Sequence, residues 1–281
     1  MTIDLHKPDA GAGRNPYVGP RSIAYGEPLY GRDRELAQLH DTLVAERVVL
    51  LYSPSGAGKS SLLEAGLRPL LEDRRFTVLP TIRVGHEPEA ASSNRYVAST
   101  LLSLDADRAS ASGEPIGLGA STLERGVQGI IGDSVPPDND ACLFFDQFEE
   151  LFTLDPTDYD VKREFLDQLG IVLRDRSIWA LFAMREDFIA QLDPFVSLVP
   201  TRWSTRFRLD LLDVDAAKEA ARRPALDAGA TFSVEAANRL VDDLRRVKVQ
   251  RGDDVALELG PYVEPVQLQV VCHRLWERLR S

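Results

Sequence analysis

The chain has 281 residues, enough for one large domain or two ordinary ones with a real core. Its hydrophobic fraction of 44% and charged fraction of 27% are those of a soluble globular protein. The net charge of −11, from 33 Lys+Arg against 44 Asp+Glu, argues against a general nucleic-acid-binding surface, although a local basic patch stays open.

No stretch approaches the ~18 apolar residues of a membrane span. The first eight residues, Met1 to Pro8, lack the apolar core of a signal peptide. Cys142 and Cys272 both lie in apolar segments and read as buried free thiols in a reducing compartment. A cytoplasmic protein with no membrane partner is the expectation.

Residues 1–29 hold Gly11, Gly13, Pro16, Gly19, Pro20, Gly26 and Pro28, and read as an irregular arm. Arg32 to Glu46 reads as a helix with Leu36, Leu39, Leu43 and Val44 on one face. Val48 to Tyr52 is a buried strand, and Ser60 to Leu71 a helix with Leu62, Leu63, Leu67 and Leu70 apolar. Phe76 to Val84 looks like a second strand and Asn94 to Leu104 like a helix, followed by a polar loop over 105–121. Ala141 to Phe145 is a short apolar run ending in Asp146. Asp158 to Arg174 is an amphipathic helix, Ile178 to Met184 a buried strand ending at Arg185, and Phe207 to Leu212 a last strand. Apolar strands alternating with helices imply a parallel sheet covered on both faces, an α/β fold.

From about 213 the pattern becomes helical, over Asp215 to Leu226, Ser233 to Val247 and Pro265 to Arg280. Ser233 is an N-cap residue type, and Pro224 predicts a kink or an early stop. The expected organisation is therefore an arm over 1–29, an α/β domain over 30–212 and a small all-helical lid over 213–281.

Two stretches carry chemistry. Ser53-Pro54-Ser55-Gly56-Ala57-Gly58-Lys59-Ser60-Ser61 stands between a strand and a helix, where a phosphate-binding loop belongs. Successive N–H groups of such a turn point inward around an anion, and the helix N-terminus adds partial positive charge. Lys59 would reach the β- and γ-phosphates of a nucleotide, and the Ser60 hydroxyl would bind Mg²⁺. The usual pattern opens with Gly, and Ser53 stands there. The bland alternative is a Gly-rich turn ending in a surface Lys-Ser pair. The second stretch is Asp146-Gln147-Phe148-Glu149-Glu150. An Asp closing a buried strand is where a phosphate-loop NTPase holds Mg²⁺, and Glu149 or Glu150 is within reach to polarise an attacking water. A solvated acidic helix start, favoured by the helix dipole, is the alternative.

Together with Leu29-Tyr30-Gly31-Arg32-Asp33-Arg34-Glu35, these stretches resemble the STAND class of signalling NTPases, and in particular the bacterial novel STAND branch related to the NACHT and AP-ATPase groups. The resemblance implies a P-loop NTPase that binds ATP or ADP with Mg²⁺ and hydrolyses slowly. It implies that Gly31 and Arg32 lie against the adenine, that Asp146 binds Mg²⁺, and that Glu149 and Glu150 form the acidic pair, with Glu150 catalytic. Arg185 takes the position of a γ-phosphate sensor, although neutralisation by Glu186 or Asp187 reads nearly as well. Pro265 corresponds to a proline that packs near the base, with Val263 where the family has Gly, or else it is simply a first-turn helix proline. Arg202, Arg206 and Arg208 are candidates for an arginine finger or solvated surface. His273 reads as a packing residue.

The class generally carries a winged-helix domain and a repeat sensor after the helical lid, so the expectation is a shortened chain or a stand-alone nucleotide module. In a longer parent, the resemblance implies self-association triggered by an unknown ligand, often in bacterial anti-phage or conflict signalling. Two other readings stay open: a module that holds nucleotide without turnover, and an AAA+-like motor or loader, for which Arg245 or Arg246 would have to serve as a lid arginine.

Overall fold

Every residue from Val48 to Leu51, from Ala141 to Phe145 and from Ala180 to Met184 is buried in the computed structural model, which describes residues 5–6, 15–85, 94–106, 122–251 and 254–280. Strands buried on both faces require helices above and below, and a parallel sheet satisfies this. The chain divides into two compact units, Ala37–Pro54 with Leu67–Leu209, and Asp210–Ser281 with Met1–Leu36 and Ser55–Gly66.

In chain order the elements begin with β1 (Leu5–His6), α1 (Asp33–Glu46), β2 (Val48–Ser53), α2 (Lys59–Ser61), a π-helical turn (Leu62–Leu67), α3 (Arg68–Glu72), β3 (Phe76–Val78) and α4 (Arg95–Leu104). Next come α5 (Leu123–Ser134), β4 (Asp140–Phe145), α6 (Glu150–Thr153), α7 (Tyr159–Val172), β5 (Ile178–Arg185), a 3-10 stretch (Glu186–Leu198) and β6 (Arg206–Arg208). The last are β7 (Leu212–Asp213), α8 (Val214–Asp227), β8 (Thr231–Phe232), α9 (Val234–Leu244), β9 (Arg246–Arg251), β10 (Asp254–Leu259), β11 (Tyr262–Val263) and α10 (Pro265–Arg280).

The first unit is built on a five-stranded parallel sheet in the order β3-β4-β5-β2-β6. The α/β class expected from the alternating pattern is thus the observed one. Its core is aromatic: Phe145 stacks on Phe182 at 4.5 Å, and Trp203 meets Phe182 edge-on at 4.6 Å. Three expectations need correction. The apolar run Phe76–Val84 pairs as a strand only to Val78, with Ile82 adding a single bridge to Phe145, because Pro80 has no N–H to donate to the ladder. A helix, α5, stands where none was read. Gly126, Gly129 and Gly132 lower its intrinsic helicity, and Gly126 packs closely on Leu101, whose side chain would have to shift to admit a Cβ there. The helix after the phosphate-loop segment widens into the π turn instead of running unbroken from Ser60 to Leu71. Of the predicted polar loop, residues 107–121 lie outside the described residues.

The second unit has an alanine-rich core, with Ala217, Ala220, Ala221, Ala225, Ala236 and Ala237 packed with Tyr17, Phe232 and Trp276. Three helices appear as expected. Ser233 caps α9 by accepting the Ala236 N–H at 3.1 Å, and Asp213 caps α8 through the Ala216 N–H at 2.9 Å. Pro224 does not stop α8, which continues to Asp227. Helix α9 ends at Leu244, short of the expected Val247. The following residues form an antiparallel hairpin, β9–β10, alongside the helices. The stretch Phe207–Leu212 also divides: β6 joins the parallel sheet, whereas β7 pairs antiparallel with β11. The irregular arm carries no helix over 15–30, and it is tied into this unit by the Tyr17 hydroxyl, which donates to the Ala221 carbonyl at 2.5 Å.

Candidate functional site

Strand β2 runs into the glycine-rich segment. Ser53 is fully buried, and its hydroxyl donates to the Pro54 carbonyl at 2.8 Å. The small side chain in the usual glycine position is therefore accommodated by turning back on its own backbone. Gly56 (φ 77°) and Gly58 (φ 90°) both take left-handed conformations, which explains glycine at these two positions. Ser55 is exposed, Ala57 is buried, and Lys59, Ser60 and Ser61 form the first helical turn, half-buried. The Ser61 hydroxyl accepts the Ile23 N–H at 3.0 Å, so the arm is laced to the start of this helix.

Arg32 is buried to 5% exposure. Its guanidinium donates to the Ala57 carbonyl at 2.9 Å and the Asp210 carbonyl at 2.8 Å, and pairs with Glu35 at 3.0 Å. Burial lowers its pKa, with Glu35 opposing, yet an arginine stays charged throughout. Gly31 (φ 74°) lies so close to the Ala216 carbonyl that no Cβ would fit. Arg32, Ala57, Gly58, Tyr30, Ile23 and Pro265 line a cavity of about 60 Å³. A larger neighbour of about 310 Å³ shares the Tyr30 and Ile23 walls. Pro265 is the first residue of α10, as its first-turn reading expects, and its side chain also walls this cavity. Pattern reasoning missed the arm residues Ile23 and Tyr30. Tyr30 donates its hydroxyl to Asp227 at 2.6 Å, and burial followed by that bond pushes its pKa up to about 12.

The acidic segment belongs to the sheet unit. Asp146 follows β4 directly and is 4% exposed. Its Oδ2 accepts from Arg83 Nη2 at 3.0 Å, and its Oδ1 accepts the Gln147 N–H at 2.9 Å, with Gln147 itself at φ 51°. Arg83 also donates to the Gln147 side-chain oxygen and pairs with Glu150 at 3.6 Å. Glu150 Oε2 accepts the Gly85 N–H at 3.1 Å, whereas Glu149 Oε2 accepts the Arg185 N–H at 3.2 Å. The two neighbouring glutamates therefore face different segments, Glu149 the end of β5 and Glu150 the turn at Gly85. Arg83 was missed as well: it falls within the run Phe76–Val84 read as a strand, where a single arginine carries no signal of its own.

Arg185 closes β5, in register with Ser53 of β2. Its guanidinium pairs with Asp187 at 2.6 Å and packs over Phe188, so the neutralised reading describes its present contacts. The other arginines considered are engaged locally. Arg208 pairs with Glu186 at 3.5 Å, Arg206 donates to the Trp203 carbonyl, and Arg202 is exposed. Arg245 holds Asp242 and the Gly260 carbonyl, and Arg246 pairs with Asp243. His273 packs on Gly19, as expected of a packing residue.

Among the described residues no three His, Cys, Asp or Glu side chains form a metal cluster. A buried carboxylate such as Asp146 and a hydroxyl such as that of Ser60 are each donor types that Mg²⁺ takes, since it uses one or two protein ligands and completes its shell with water and phosphate oxygens. Among the described residues no helix is long and apolar enough to cross a membrane.

No curated protein matches the chain in sequence. Among solved structures, the Walker-type ATPase PABY2304 of Pyrococcus abyssi superposes with a TM-score of 0.60 at 16% identity, over 92% of this chain and 73% of that one. The ORC2 protein of Aeropyrum pernix, in ADPNP–ADP complexes, gives a TM-score of 0.49 at 13% identity, over 73% of this chain and 54% of that one. The first likeness agrees in fold with the parallel sheet and its helices. The sequence profile of the Novel STAND NTPase 1 family matches residues 21–279, and the chain belongs to that family.

Proposed function

We propose that the chain is an ATP-binding, slowly hydrolysing switch of STAND type. The observation that carries this reading is the order of neighbouring strand ends in one parallel sheet: β2 leads into the glycine loop, β5 beside it ends in Arg185, and β4 beyond ends at Asp146. Ligands collect at the carboxyl edge of such sheets. Ser55 to Ser61 enclose the phosphates with backbone N–H groups, and Lys59 adds its charge. Arg32 positions the loop through the Ala57 carbonyl, and the adenine lies against Gly31, Arg32 and Pro265. Ser60 and Asp146 would be the residues to hold Mg²⁺, which would supply charge neutralisation at the phosphates. Glu150, once released from Arg83, orients and deprotonates the attacking water. Glu149 holds the β5 end in place through the Arg185 N–H.

Nucleotide state then biases the 213–281 lid, and in a longer parent it governs self-association in response to a trigger ligand, in anti-phage or related signalling. A cytoplasmic setting suits this role. A second reading, a nucleotide-holding module with negligible turnover, is favoured by one observation: Arg83 occupies Asp146 and Glu150 together. Steady-state phosphate release separates the two. Wild type is expected to release phosphate above background, with Glu150→Gln lowering the rate by about 10²-fold or more, in line with loss of a general base. Equal release at background from both proteins would remove Glu150 from catalysis and leave the second reading.

A further inference from the structure

Glu264 stands beside the phosphate loop with its carboxylate aimed at it. The Val263-Glu264-Pro265 turn runs along the loop: Pro265 ring atoms come within 3.9 Å of where a Gly58 Cβ would stand. The Glu264 carboxyl carbon lies 3.1 Å from where a Gly56 Cβ would stand, with Oε1 nearer still. The other oxygen, Oε2, accepts from Gln267 Nε2 at 2.5 Å, and the Glu264 carbonyl accepts the Leu268 N–H at 3.1 Å. The side chain is half-buried and held from its own helix, so it does not simply wave in solvent.

A loop whose backbone N–H groups gather anions thus has a fixed anion as its neighbour. Resting on the reading of Ser53–Ser61 as a nucleotide-phosphate loop, we propose that Glu264 sets the preference of that loop between nucleoside diphosphate and triphosphate. A triphosphate brings about one more negative charge than a diphosphate, and a carboxylate fixed on the loop penalises that extra charge. At the effective dielectric of a partly exposed site, one such charge pair separated by about 12 Å repels enough to change an affinity by up to about tenfold. The carboxylate also offers the loop an internal anion when no nucleotide is bound. Glu264 therefore makes the diphosphate the easier ligand to keep and sets a threshold that triphosphate must overcome.

The test is isothermal titration of the full chain with ADP and with ATP, in Mg²⁺, for wild type, Glu264→Gln, Glu264→Asp and Lys59→Ala. Glutamine keeps the size and the Gln267 contact and removes only the charge. Glu264→Gln is expected to tighten both nucleotides, ATP by about 3- to 10-fold more than ADP, and the gap between wild type and variant is expected to shrink as salt is raised. Glu264→Asp, which retains the charge, is expected to keep the wild-type ATP/ADP ratio. A ratio unchanged in Glu264→Gln, or a parallel shift of both nucleotides, overturns the proposal. If Lys59→Ala binds ATP as wild type does, the phosphate-loop reading itself falls. That outcome is distinct, because it does not depend on Glu264.

Discussion

The two units solve the burial problem with different side chains. The sheet unit fills its interior with Phe145, Phe148, Phe182 and Trp203, whose rings meet at 4.5 to 5.9 Å, whereas the helical unit packs around seven buried alanines. A buried aromatic removes ~150–250 Å² from water. An alanine removes far less, and what it permits instead is close approach of helices. The sheet unit is therefore expected to be the more stable of the two and the helical unit the part that opens at lower cost. Each unit holds one buried cysteine, Cys142 in β4 and Cys272 in α10. Burial pushes the Cys272 thiol up to about 12 and the Cys142 thiol well above the usual thiol range, so both are protonated at neutral pH and react only when their unit opens.

Thiol labelling can break the comparison. The largest effect is expected from Phe182→Ala, which removes the ring between Phe145 and Trp203 and should cost about 3–5 kcal/mol. Cys142 labelling should accelerate in that variant more than Cys272 labelling. Uniform acceleration would mean that the units unfold as one. Ala221→Leu, at a fully buried position beneath the Tyr17 hydroxyl, should cost about 1–3 kcal/mol through overpacking, and Cys272 should report it first. A stability change below experimental error there would show that the alanine core is loosely packed, against the close approach inferred here. The smallest effect is expected from Ser233→Ala, which loses the cap on α9 and should cost about 1 kcal/mol in thermal unfolding, again visible at Cys272.

The same contrast governs how far the sequence could be read. Strands β2, β4 and β5 were legible because burial on both faces demands an unbroken apolar run, and the phosphate loop because positive φ at Gly56 and Gly58 selects glycine. Helix α5 was hidden by its glycines, of which only Gly126 packs against a neighbour, Leu101. The β9–β10 hairpin was overlooked although Val247, Val249, Val255, Leu257 and Leu259 alternate with period two, a signal that could have found it. These residues are mostly exposed, so no buried face reinforces the pattern.

At the candidate site, residue types were foretold and their partners were not. Asp146, Glu149 and Glu150 could be named because a carboxylate closing a buried strand is chemically conspicuous. Arg83, which ties up two of them, and Glu264, which approaches the loop from more than 200 positions away in the chain, could not. The sequence by itself determined the α/β class, the glycine loop and the acidic strand end, because each depends on local backbone geometry or on burial of one segment. Only the tertiary structure decided which charge faces which: that Arg32 holds the Ala57 carbonyl, that Arg83 holds Asp146, and that Glu149 and Glu150 part ways. Electrostatic pairing depends on distance in space, and distance along the chain does not encode it.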